Sequence, residues 1–424
     1  MPFPVPSRRR LALVLTTCLP LGLLVACSSS APAATGPIHV GAVYPLTGNQ
    51  AQGAEQADGV RLAAEIVNRA GGVGGRQVSL TVMDVPTPQA ATRAVDSLVG
   101  AGNSIILGTY NTTEALPASA EASKRGAVFL ETGAIADSIT TRGLPGVLRT
   151  SVDGTTLARN AAQFVHDVVL PKAGLPLSTA RVSIVYENDA YGSSVAYATV
   201  AAADPLGLNI EDAIGYDATN PSYDAIATTL AGDRPDVLIA APYLADAIGL
   251  RQALVRHHVR LRTIVGASSA YSAPDFGAAL GQQAVGLFAT DRSDGGTGNA
   301  GLTTAAKDLL NRASALYNAE HGKAMSSFAM AGFVGGWVMF HDILPKATST
   351  SRSAVLGAAM GLDLPTGSEI NGSGVKFAPA TAADAGQNTR ALGVIYEWTG
   401  VNQRVVVFPS QFASGQPALL PVSS

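Results

Sequence analysis

Cysteine is nearly missing from this chain. The 424 residues hold two, Cys18 and Cys27, so no disulfide can form beyond residue 27 and a disulfide-framed fold is excluded. Charge is sparse as well. Asp, Glu, Lys and Arg make up 14% of the residues, with a formal net charge of −3, and nothing suggests a nucleic-acid surface. The six histidines, His39, His166, His257, His258, His321 and His341, show no HExxH spacing and lie far from both cysteines, so no metal site is expected. Neither a GKS/GKT phosphate loop nor a GxSxG elbow occurs. Gly71-Gly72-Val73-Gly74-Gly75 follows a helical stretch and precedes a strand-like one, the reverse of the phosphate-binding order. It reads as a helix stop and turn. Long apolar runs are also few. Residues 326–345, with Phe328, Phe333, Trp337 and Phe340, are unbroken for only about 13 residues before His341-Asp342. A bilayer span needs ~20, so a buried helix is expected there.

What is present begins with Arg8, Arg9 and Arg10, followed by an apolar stretch over residues 11–26 interrupted by Thr16, Thr17 and Pro20. That is the pattern of an export signal. Val25-Ala26-Cys27 resembles the lipobox of bacterial lipoproteins. The resemblance implies a signal peptide over residues 1–26 and a diacylglyceryl group on Cys27. The mature protein is then expected to be exported and lipid-anchored, on the outer face of the cytoplasmic membrane or in the periplasm. Ser7-Arg8-Arg9-Arg10-Leu11 also resembles a twin-arginine signal, which leaves the export route open. Residues 27–37, rich in Ser, Ala and Pro, read as a tether. Removing 26 residues leaves 398 of the 424, ample for a core and for two or more domains.

From Ile38 the pattern alternates. Strand-like runs at 38–44, 77–84, 104–108 and 127–130 are separated by helical stretches at 54–70, 88–101 and 116–125. Within the first helix Ala57, Val60, Ala64 and Val67 recur at three- and four-residue spacing, and Gly71-Gly72 stops it. The rhythm restarts with helices at 153–169, 191–203, 221–231 and 244–257 and strands at 181–186, 208–214, 236–240, 262–265 and 286–289. Strand and helix taking turns implies βαβ units and parallel sheets covered by helices on both faces, an α/β fold. After a Gly-rich break at 294–298 come three helical stretches to about residue 360, then two strand-like runs at 392–398 and 404–408.

Four segments in order carry a resemblance: Val43-Tyr44-Pro45-Leu46-Thr47-Gly48 with its helix ending at Asn68-Arg69-Ala70-Gly71-Gly72; Gly108-Thr109-Tyr110-Asn111-Thr112-Thr113; Ile139-Thr140-Thr141-Arg142-Gly143 leading to Leu148-Arg149-Thr150; and Val185-Tyr186-Glu187-Asn188-Asp189-Ala190-Tyr191-Gly192. Together they resemble the leucine/isoleucine/valine-binding family of ABC-transporter solute receptors. The resemblance implies two Rossmann-like lobes with parallel sheets, joined by three hinge crossovers near Thr150, Arg292 and Val375, and a ligand held in the cleft between them. Lobe 1 would take residues 38–150 and 292–374, lobe 2 residues 151–291 and 375–424.

The candidate ligand-binding residues lie where such a cleft would form. Asn111, Thr112 and Thr113 sit at a strand-to-helix turn, with Pro117 expected in the first helical turn. Amide and hydroxyl groups there suit a carboxylate or carbonyl oxygen, and ordinary N-capping is the plainer alternative. Gly133 and Ala134 follow a strand at the carboxyl end of a parallel sheet, where ligands of open α/β folds gather; a turn glycine is the plainer reading. Tyr191 opens a helix and Tyr243 follows a strand, so both are candidates to present rings to the cleft or to pack half-buried. Gln52 and Phe328 complete the set. The resemblance also exposes departures. The acidic residue that pairs with a ligand ammonium in amino-acid-binding members falls at Ser268, a threonine of the same site at Ile135, and a disulfide cysteine at Asn111. A buried ammonium without an anion is costly, so the expected ligand has an oxygen end but no ammonium buried in lobe 2. Asp246 or Glu187 could substitute as the anion, but each reads first as a solvated surface charge.

An exported enzyme and a sensor lipoprotein with a separate signalling partner are the rival classes. The expected function is a non-enzymatic, cofactor-free solute receptor that delivers a small polar or amphipathic molecule to an ABC permease. Its other expected partner is the membrane, through the lipid, and it is expected to be a monomer.

Overall fold

The computed structural model describes residues 36–48, 52–294 and 301–423. The signal segment, Cys27, nearly all of the tether and the glycines of the 294–298 break lie outside them. Two sheets organise the chain from Pro37 onward. The first has five strands in the order β2-β1-β3-β4-β5. These are β1 (Ile38–Tyr44), β2 (Val78–Asp84), β3 (Ile105–Gly108), β4 (Val128–Glu131) and β5 (Val147–Arg149), all parallel. Every residue of β3 and β4 is buried, as expected of central parallel strands covered on both faces.

The second sheet has seven strands in the order β12-β11-β10-β9-β8-β6-β7. They are β6 (Val182–Glu187), β7 (Ile210–Tyr216), β8 (Val237–Ala241), β9 (Thr263–Ala267), β10 (Phe288–Arg292), β11 (Gly393–Gly400) and β12 (Gln403–Phe408). β6 to β10 are parallel, and the hairpin β11-β12 adds antiparallel to β10. Edge strand β7 alternates half-buried and exposed residues, the signature of one wet face.

In both sheets the strand order reverses beside the first strand, between β1 and β3 and between β6 and β8. Such switch points leave crevices at the carboxyl ends of the strands. Helices 304–321, 327–337 and 352–360 lie in sequence between β10 and β11 of the second sheet but pack in the core under the first. Glycine makes the tightest of these contacts possible: a Cβ on Gly59 would lie 2.0 Å from the Ala329 carbonyl oxygen, and one on Gly332 would lie 1.9 Å from that of Gln56. The helix from Ser327 runs on through wider turns to Lys346, long and apolar enough to cross a membrane, yet 89% of that stretch is buried in the fold. It is a core helix, as its short unbroken run suggests.

The structure departs from the sequence reading in several places. Helix 112–124 begins earlier than expected because Asn111 caps it, its Oδ1 accepting from Glu114 N at 3.1 Å; Pro117 therefore sits inside the helix and not in its first turn. β7 and β10 each end two or three residues later than their apolar runs suggest, and β5 and the short helices 138–141, 269–272 and 274–280 are additional. The third passage between sheets also comes later than Val375. Val375 bridges to Leu364 and is buried with Phe377 in the first-sheet core, while the chain runs beside Arg149 at Gln387-Asn388.

Candidate functional site

The loops that follow the strands of the two sheets face each other, and buried charge fixes their shape. Glu131, at the end of β4, is fully buried. Its carboxylate accepts N–H groups from Thr109 (2.7 Å), Thr132 (2.9 Å), Gly133 (2.8 Å) and Ala134 (2.8 Å), folding loop 132–134 back over the strand end. Burial pushes the carboxyl up to about 7, against the pull of those amides. A Cβ on Gly133 would lie 2.0 Å from Gln56 Nε2, so a larger residue there would have to push that side chain aside. Arg149 Nη1 donates to the Ile135 and Ala136 carbonyls (2.9 and 2.7 Å) and its Nε to Gln387 Oε1 (2.6 Å).

On the second side, the Tyr191 hydroxyl bonds Ser268 Oγ (2.9 Å) and the Ala267 carbonyl (3.1 Å), and its ring lies 4.9 Å from that of Tyr243. Ser268 adopts φ +60°, a conformation costly for a non-glycine residue, and is pinned by its N–H to the Thr290 carbonyl (2.7 Å). Ser269 and Ser272 donate to the buried Asp291 carboxylate (3.0 and 2.6 Å). Arg292 spans the two sides. Its Nη1 donates to the Gly133 carbonyl (2.9 Å) and Ser151 Oγ (3.0 Å), and its Nη2 to Ser269 Oγ (3.3 Å).

These groups enclose a cavity of about 20 Å³, room for about one water. Tyr110, Asn111, Thr112, Gly133, Ala134 and Ile135 line it from the first sheet's loops, and Tyr191, Tyr243, Ser268, Ser269, Ala270 and Arg292 from the second's. Tyr110 and Tyr243 also border a second chamber of about 340 Å³, whose walls include Gln52, Glu187, Leu244 and Asp246.

Eight residues singled out from the sequence thus meet in one cavity: Asn111, Thr112, Gly133, Ala134, Ile135, Tyr191, Tyr243 and Ser268. Gln52 lies in the adjoining chamber, and Phe328 packs edge-on against Tyr110 with ring centres 5.4 Å apart. Thr113 is exposed and does not line the cavity. Cys27 lies outside the described residues. Sequence reasoning missed Tyr110, Ser269, Ala270 and Arg292. Tyr110 sits inside the recognised 108–113 motif, so its signal was available; Arg292 was read only as a crossover.

Nor are Glu187 and Asp246 solvated surface charges. Glu187 is half-buried, with burial and the neighbouring Asp189 and Asp246 pushing its carboxyl up to about 8. Asp246 accepts the hydroxyls of Tyr216 (3.0 Å) and Tyr223 (2.5 Å). Among the described residues no group of His, Cys, Asp and Glu is arranged to hold a metal ion.

A family model described as "periplasmic binding protein" matches residues 37–399. The chain belongs to this family. Two sheets of mostly parallel strands with reversed order are the type I periplasmic binding protein fold. Among relatives of this binding protein, the Leu/Ile/Val-binding protein homolog 8 of Brucella suis is 28% identical over 396 residues, covering 92% of this chain and 95% of its own. Among solved structures, the Streptococcus pneumoniae branched-chain amino acid substrate-binding protein LivJ in complex with isoleucine aligns with TM-score 0.71 at 18% identity, over 88% of this chain and 100% of that one. The R. palustris ABC-transporter solute-binding protein in complex with benzoate aligns with TM-score 0.69 at 17% identity, over 92% and 99%.

Proposed function

We propose that this periplasmic binding protein is the extracytoplasmic receptor of an ABC importer, anchored through lipid on Cys27, and that it captures a small molecule between two lobes without altering it. The observation that carries the reading is the meeting of polar loop ends from both sheets on one enclosed cavity, at the crevice position where open α/β sheets bind ligands. The lobes are built round the two sheets. The hinge lies at the passages past Arg149, Arg292 and Gln387-Asn388, and the receptor works as a monomer.

The ligand has an oxygen-bearing end, a carboxylate or an amide, and an apolar body. Thr112 offers a hydroxyl on one side, and Arg292 adds a buried cation. Ser268 supplies no anion for an ammonium. Relatives crystallised with leucine, isoleucine and benzoate share a carboxylate end on an apolar body, which supports this class.

Calorimetry with L-leucine, L-valine, benzoate and benzamide tests it. At least one of the two aromatic probes is expected to bind, and Thr112→Ala to weaken it by about 1–3 kcal/mol. Leucine and valine are expected to bind poorly; micromolar binding of either would restore an ammonium site and overturn the ligand class. Chemical change of a bound probe would favour an exported enzyme. For the anchor, Cys27→Ala is expected to abolish partition of the mature protein into detergent.

A further inference from the structure

One side chain in the cleft has no partner although it lies wholly inside the protein. Gln56, on helix 53–69, is 0% exposed, and neither its amide nitrogen nor its amide oxygen makes a hydrogen bond. Buried amides are nearly always paired, and leaving one unpaired is costly. The Gln56 backbone is locked against Gly332 on the neighbouring helix, where even a methyl group would collide with it.

The amide lies behind the wall of the ligand cavity, against Gly133. A Cβ on Gly133 would fall 2.0 Å from Gln56 Nε2 and 2.7 Å from Oε1, so the amide lies against the Cα of a residue that lines the cavity. The carbonyl of that same Gly133 accepts from Arg292. One helical turn earlier, on the same face, Gln52 borders the adjoining chamber. Gly133 therefore touches the cavity and the Gln56 amide at once.

We propose that Gln56 is a specificity-determining residue whose amide is completed by the ligand. This rests on the solute-binding reading above and adds a constraint to it. A carboxamide offers one N–H donor edge and one oxygen acceptor. Its complement is a head group that carries both an acceptor and a donor, which a primary amide does and a plain carboxylate does not. Benzamide is therefore preferred over benzoate by the wild-type protein, and the preference disappears when Gln56 is made apolar.

The test uses the mature chain and two variants, Gln56→Met, which keeps length and volume, and Gln56→Glu, which keeps the acceptor oxygen. Thermal melting without ligand comes first, then calorimetry with benzamide and benzoate. The expected result is that Gln56→Met melts at or above the wild-type temperature while binding benzamide at least about tenfold more weakly. Gln56→Glu is expected to bind it more weakly too, because an ionised carboxylate has no N–H to donate. A clear fall in the melting temperature of ligand-free Gln56→Met would mean that the amide has a structural partner, and would overturn the proposal. So would unchanged benzamide affinity in both variants, or tighter wild-type binding of benzoate than of benzamide. If the wild type itself binds neither probe, the ligand class proposed above fails, and the assignment of Gln56 falls with it. That outcome is distinguishable because the wild type is then silent.

Discussion

Arg149 and Arg292 stand at the carboxyl ends of strands in different sheets, both buried, and the protein uses them in opposite ways. Arg149 bonds the 135–136 carbonyls, Thr140 Oγ1 (3.3 Å) and Gln387. These all belong to the segment that leads from β4 into β5 and to the returning chain. Arg292 leaves the second sheet and reaches the Gly133 carbonyl on the first sheet's side. Its Nε has no hydrogen-bond partner and lies 3.6 Å from Asp291. The same guanidinium is a staple in one place and a clasp in the other. What differs is whether its partners move with it.

Removing the staple should cost the most. Arg149→Met strands two buried carbonyls and the Gln387 amide oxygen, so a loss of about 3 kcal/mol or more in urea-unfolding free energy is expected. A loss below about 1 kcal/mol would mean that those acceptors find other donors, and the contrast with Arg292 would collapse. Arg292→Met should cost less, about 1–2 kcal/mol, but should change the ligand-free shape. Small-angle scattering is expected to report a larger radius of gyration for this variant and an unchanged one for whatever fraction of Arg149→Met remains folded. Equal radii in both variants would erase the distinction.

The smallest effect concerns pH and separates the fixed arginine charges from the carboxylates beside them. Glu187, raised to about 8, keeps in the folded state a proton that the unfolded chain gives up near 4.5. Its stabilising contribution is therefore complete below about 4.5 and is lost as pH rises through about 8. Glu131, raised to about 7, acts in the same direction. The melting temperature should decline between pH 5 and 8, and Glu187→Gln should make that decline shallower without removing it. A melting temperature that rises over this interval would contradict the burial of both groups.

Much of the fold was legible because the decisive runs are local. β1, β3, β4, β6, β8 and β9 are short apolar stretches bounded by turn residues, which a parallel sheet requires. β5, three residues long, and the helices at 269–272 and 274–280 are shorter than any period can reveal. The start of helix 112–124 was misjudged because Pro117 suggested a first turn, whereas Asn111 had already capped the chain. In the site, Thr112 and Thr113 were indistinguishable as letters. Neighbouring helical residues point about 100° apart, so only one of the pair can face the cavity. Arg292 was read as a crossover and not as a wall of the site, and Glu187 and Asp246 were misread as solvated. Charged side chains are usually solvated, and only packing between distant segments, such as Tyr216 and Tyr223 over Asp246, makes these two carboxylates an exception.

The small size of the cavity, about 20 Å³, governs time as much as fit. A molecule with the bulk of leucine or benzamide does not fit that space, so on the receptor reading proposed above every capture waits for the cleft to open. The apparent dissociation constant is then the intrinsic one divided by the fraction of molecules open at that moment. Loosening the Arg292 clasp raises that fraction and quickens capture. It also shortens the residence of the captured molecule, because the motion that admits it is the one that releases it. A permease that takes its cargo from such a receptor must prise it open, and the strength of the clasp sets how long the cargo waits.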